Sequence, residues 1–211
     1  MLLQGNQGQT GKQVGQNLTA GFGEYSDVLV SELQARYYEN VYRGNVFFAA
    51  NQALITTAAG LTSSQSTGFI LYNPAGSGKN LVILEILTQA VIGTAAGANF
   101  LLWLAACLSP TQAAPATIAS TLTVNSALLG TGAAAVAKAY AQATLPTTPV
   151  VVRNLGAIQS ISNAAGNPVF PSWFKDEVAG ALIVPPGIMV ATQTSAALSI
   201  SNSMTWAELP I

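Results

Sequence analysis

The sequence predicts a mainly β protein: a jelly-roll or β-sandwich domain with an extended N-terminal arm and one short α-helix. Three observations predict it. From residue 49 onward, about ten short apolar runs are separated by Gly-, Pro- and Asn-rich turn segments, the punctuation of an all-β domain. Residues 1–23 are rich in Gly and Gln and show no hydrophobic period. Charged residues make up 7% of the 211-residue chain, against about 25% in an ordinary soluble domain. A surface built from Ser, Thr, Asn and Gln is comfortable when neighbours cover it.

The organisation follows in chain order. Residues 1–23 carry six Gly, five Gln and two Asn, cannot bury enough apolar area to offset ordering, and are expected to gain order by exchange with a neighbouring subunit. Folding back on their own domain is the alternative. The segment lacks the basic, apolar and small-residue regions of a signal peptide.

Residues 24–48 form a helix and connector. Glu32–Arg36 and Glu39–Arg43 are i,i+4 pairs with the acid on the N-terminal side. Tyr25, Val28, Leu29, Leu33 and Tyr37 recur at helical spacing, Ser26 can cap the start and Gly44 can stop the end. The segment reads as one helix, or as a helix that breaks near Tyr37 into an extended YYENVYRGNVFF run.

Residues 49–211 form the β-domain. ALITT, TGFILY, NLVILEILTQAVI, ANFLLWLAACL, TIASTLTV, PVVVRN, AIQSIS, GALIVPP, IMVATQT and ALSISNSMTW read as strands, with NPAGSGK, GTAAGA, SPTQAAPA, NAAGNP and PPG as turns. AAAVAKAYAQA (133–143) is open between helix, strand and loop: its alanines favour the first, its neighbours the others.

Several motifs invite a chemical reading. NPAGSGKN (73–80) resembles a phosphate loop, but Asn73 stands where the first Gly is needed, Asn80 where Ser or Thr is needed, and a strand follows where a helix should begin. A turn between strands fits it better. Ala90–Leu108 is 19 residues without a charge, yet Gly93, Thr94, Gly97 and Asn99 break it and no Lys or Arg flanks it closely. Two buried strands of a hairpin fit better than a membrane span. Glu85 is expected mid-strand, on one face with Leu81, Ile83, Leu87, Gln89 and Val91, and to pair with Lys138 or Arg153. Asp176 and Glu177 follow PSWFK, where Trp173 and Phe174 form either a sugar-stacking platform or an aromatic seat for a loop. Cys107 lies among apolar neighbours as an inert core thiol.

Composition narrows function. The chain has no histidine, which removes Ser-His-Asp and Cys-His nucleophilic sites and histidine-ligated metals. One cysteine removes an internal disulfide framework and cysteine-based clusters. A net charge of −1 gives no electrostatic footprint for nucleic acid or an anionic membrane. The expectation is a non-enzymatic protein with no catalytic residues, no cofactor and no metal.

The layout of arm, short charged helix and nearly charge-free β-domain resembles the structural proteins of tailed-bacteriophage virions, in particular small jelly-roll cement, decoration and head-fibre-base proteins. The segments that carry the resemblance are ELQARYYENVYRGNVFFAAN (32–51), LYNPAGSGKNLVILEI (71–86) and GALIVPPGIMVATQTSAALSISNSMTWAELP (180–210). The last reads as a strand, a Pro-Pro-Gly turn, and two strands ending on Trp206 and Glu208. The resemblance implies a virion protein of the phage head, a homo-oligomer and most often a trimer, with capsid proteins as partners. Lys12, Arg36, Tyr37, Tyr38, Tyr42 and Arg43 are the candidate interface residues, since Tyr and Arg anchor interfaces. Nucleic acid and membrane are not expected partners. A carbohydrate- or receptor-binding β-domain of a fibre or tail is the alternative, and a membrane-embedded protein is a third.

Overall fold

The computed structural model describes residues 36–58, 60–61, 68–93, 99–108, 113–159 and 172–211. The chain divides into two compact units, Met1–Glu39 and Asn40–Ile211. The arm, Lys12 and the first part of the expected helix lie outside the described residues.

The helix, α1, spans Tyr38–Tyr42. Of the two readings of this segment, the break near Tyr37 into an extended run is the one the structure corrects, since Tyr38–Tyr42 is helical. The extended run starts only at Val46, because a glycine cap intervenes. Gly44 adopts a left-handed φ of 72°, which no side-chain-bearing residue takes cheaply. Its N–H donates to Val41 O (2.9 Å) and the Asn45 N–H to Asn40 O (3.0 Å), the paired bonds of a Schellman stop.

The rest is mainly β. The strands are β1 (Val46–Ala50), β2 (Ile55–Thr56), β3 (Phe69–Tyr72), β4 (Lys79–Gly93), β5 (Asn99–Cys107), β6 (Ser120–Leu122), β7 (Asn125–Ser126), β8 (Lys138–Ala141), β9 (Val150–Gln159), β10 (Ser172–Asp176), β11 (Leu182–Val184), β12 (Met189–Thr194) and β13 (Leu198–Pro210). They form two antiparallel sheets. One runs β10-β4-β13-β1-β7, with β11 also on β4 and β2 also on β13; the other runs β6-β8-β3-β12-β5-β9. The segment 133–143 resolves as irregular chain leading into β8.

Four antiparallel pairs are nested in sequence: β5 with β9, β4 with β10, β3 with β12, and β1 with β13. Successive pairs fall in alternate sheets. β4 and β5 therefore belong to different sheets and are not the hairpin partners expected for 90–108. Likewise PVVVRN and the described part of AIQSIS, up to Gln159, lie in one strand, β9, which absorbs two register shifts against β5 instead of breaking.

Period-2 alternation decides what each strand buries. In β13, Leu198, Ile200, Asn202, Met204 and Trp206 point in, and Ser199, Ser201, Ser203 and Thr205 are half-exposed. The main core joins Phe47, Leu81, Ile83, Ile86, Met204 and Trp206 of one sheet to Phe69, Leu71, Leu104, Ala106 and Val190 of the other. The alternate residues of the second sheet, Ile70, Tyr72, Cys107, Met189 and Ala191, cluster instead with Ala143 and Leu145 from the segment after β8. That cover explains why all six residues of β12 are buried.

Candidate functional site

The candidate interface residues that the structure describes lie at and beside α1. The Arg36 guanidinium stands 5.5 Å from the Tyr37 ring centroid, a cation–π contact. Tyr38 is 43% and Tyr42 65% exposed, and Arg43 is also exposed. Lys12 lies outside the described residues.

Most charges of the β-domain gather along β10. Asp176 accepts from the Nε and the Nη2 of Arg153 on β9, so the ion pair ties the edges of the two sheets. That hydrogen bond raises the Arg153 pKa above its ordinary value. Lys175 Nζ lies 3.1 Å from both Glu85 Oε2 and Glu177 Oε1, and those hydrogen bonds raise the lysine in turn. Glu85 thus pairs with Lys175, not with Lys138 or Arg153. The reason is a bulge. The β4–β13 register slips between Thr205 and Trp206, leaving Leu84 as an extra residue. Leu81 and Ile83 face the core with Ile86 and Thr88, while Glu85 falls in phase with the half-exposed Leu87 and Gln89.

The SWFK part of PSWFK is strand, not loop, and alternation parts its two aromatics. Trp173 is 65% exposed. Phe174 turns the other way and lies so close to β9 that a Cβ on Gly156 would stand 2.5 Å from its ring. The two rings cannot form one stacking platform; Phe174 is the aromatic that seats the strand. NPAGSGKN is the crossing from β3 to β4, held by the buried Asn73, whose Nδ2 donates to Lys79 O and Val184 O (2.8 Å each).

A cleft of about 500 Å³ lies where the β1–β2 turn faces β6 and the end of β8. Phe48, Gln52, Leu54, Thr121, Thr123, Asn125 and Gln142 line it among others, and none of the described lining residues is charged. Asn51 builds its wall: the buried amide donates to Ala53 O and accepts the Asn202 N–H, so the turn carrying Gln52 and Leu54 is fixed. Gln142 lies opposite, with φ 54° and its Nε2 donating to Thr56 O (3.2 Å). No motif in the sequence marks this cleft, because its lining comes from segments more than sixty residues apart.

Sequence reasoning also missed the role of Glu208. It is fully buried, and its carboxylate accepts the N–H groups of Val136 (2.9 and 3.0 Å) and Ala137 (3.0 Å) and the indole N–H of Trp206 (3.4 Å), with Lys79 Nζ at 3.4 Å. The signal available was a lone acid at an inward position beside Trp206 in a strand otherwise free of charge. Cys107 is buried, its thiol directed to Thr147 O (3.4 Å). Among the described residues no three His, Cys, Asp or Glu side chains gather as metal ligands, and no helix is long and apolar enough to cross a membrane.

No family model, curated protein or solved structure matches the chain.

Proposed function

We propose that this chain is a non-enzymatic structural protein of a bacteriophage head: a jelly-roll β-sandwich that works as a homo-oligomer, most simply a trimer, and binds capsid subunits as a cement or decoration protein. The nested pairing carries this reading. A strand order in which β5–β9, β4–β10, β3–β12 and β1–β13 pair from the inside out, and alternate between two sheets, is what rolling one long antiparallel ribbon produces. Double-sheet jelly rolls of this kind recur in viral capsid and lectin domains.

The charge distribution supports the assembly half of the proposal. Arg153, Lys175, Asp176, Glu85 and Glu177 are paired along one edge, and Glu208 is paired internally with Lys79. Much of the remaining surface is neutral and bears exposed Leu54, Ile118 and Leu129, which suits contact with neighbours. In this reading the N-terminal arm makes inter-subunit contacts, and the Tyr- and Arg-rich segment 36–43 adds anchors.

The test is the solution mass by light scattering of the full chain beside a chain starting at Gly23. A trimer or larger species that loosens without the arm supports the proposal; a monomer in both forms refutes it.

A further inference from the structure

We propose that the cleft between the β1–β2 turn and the β6/β8 edge binds a neutral oligosaccharide. The inference does not rest on the capsid reading; it follows from the chemistry of the lining. With no charged residue among its described lining residues, the cleft offers no charge there to offset the desolvation of a phosphate, carboxylate or ammonium group. What it presents are neutral groups that donate or accept: Gln52, Thr121, Thr123 and Asn125, all exposed. The half-buried Phe48 and Leu122 supply apolar surface among them. A pyranose needs that combination, hydroxyls satisfied at its rim and a C–H face resting on an apolar side chain. The volume of about 500 Å³ falls within the usual range for small-molecule sites.

The walls are held in place before any ligand arrives, which lowers the ordering cost of binding. Asn51 pins one wall through both ends of its amide. The other carries Gln142 in the left-handed region, a conformation that non-glycine residues rarely hold away from functional or tightly determined positions. Its main-chain N–H donates to Gly68 O (3.3 Å) and its Nε2 to Thr56 O (3.2 Å), so its Oε1 remains as an acceptor beside the cleft.

An extended peptide is the rival occupant. Strand addition draws its affinity from a run of unpaired main-chain groups along a sheet edge. The edges here are β6 of three residues and β7 of two, too short for that mode.

The full chain is titrated by calorimetry with maltotriose, cellotriose and triacetylchitotriose, and separately with a synthetic peptide of residues 1–23. Saturable binding of at least one sugar is expected. Replacing Gln52→Ala and Asn125→Ala together should weaken it by about tenfold or more, the loss of two hydrogen bonds, with thermal unfolding unchanged. Trp173→Ala should leave it intact. No saturable binding of any of the three sugars overturns the proposal, as does binding that survives the double substitution. Binding lost in Trp173→Ala alone moves the sugar site to β10, and binding of the peptide lost in the double variant makes the cleft a subunit contact; either result also overturns it. Oligomeric mass plays no part in these outcomes, so failure here and failure of the capsid reading are read separately.

Discussion

Removing Glu208 should cost more stability than any other single charge in the β-domain. The carboxylate lies at the end of β13 with no solvent access, and it satisfies the main-chain N–H groups of Val136 and Ala137. Those amides belong to the irregular chain before β8 and gain no partner from a sheet ladder. In Glu208→Ala they are orphaned beside a new cavity, and the ion pair with the partly exposed Lys79 is lost. Hydrogen bonds to charged groups contribute about 1.5–3 kcal/mol each, and two main-chain donors lose theirs. Taking about 3–5 kcal/mol for the whole site, the melting temperature of a domain this size should fall by about 6–20 °C. Lys79→Met removes the opposite charge but leaves the amide bonds in place. Lys79 is 32% exposed at its side chain, so solvent already screens it, and the cost should stay below about 1 kcal/mol. Glu208→Gln keeps the shape and turns an amide donor toward two N–H donors, and should fall between the two. Urea unfolding followed by tryptophan fluorescence measures all three, with Trp206 reporting from within the site. A loss under 1 kcal/mol for Glu208→Ala, or an equal loss for Lys79→Met, refutes the view that the backbone amides dominate.

Two further outcomes follow from the same geometry. Gly156→Ala would set a Cβ 2.5 Å from the Phe174 ring and should destabilise by about 1–3 kcal/mol in urea unfolding, with the loss reduced when Phe174→Leu frees the space. Tyr140 has its pKa raised from 10.0 by burial and by Tyr72, so the folded state holds the phenolic proton more tightly than the unfolded chain. Its contribution to stability is complete below pH 10 and is lost as the pH rises through the folded value. Absorbance at phenolate wavelengths should show a late-titrating tyrosine that disappears in Tyr140→Phe.

What was legible in the sequence is what short-range physics decides. The alternation in LSISNSMTW gives β13 and its inward face, the Pro-Pro-Gly turn separates β11 from β12, and Gly44 marks the end of α1. Composition alone expresses the scarcity of charge, and a mainly β fold follows from the spacing of turns. Tertiary structure decided the rest, wherever the outcome depended on partners distant in the chain. The bulge at Leu84 reverses the phase of β4 because β13 pairs with it out of step, so Glu85 meets Lys175. Phe174 and Trp173 are neighbours in sequence but lie on opposite faces of β10, one filling the space that Gly156 leaves. Glu208 becomes a buried acceptor only because residues 136 and 137 arrive from across the fold. The cleft exists only once β1, β6 and β8 converge, and a chain that contacts itself over more than sixty residues leaves no local mark of where such walls will meet.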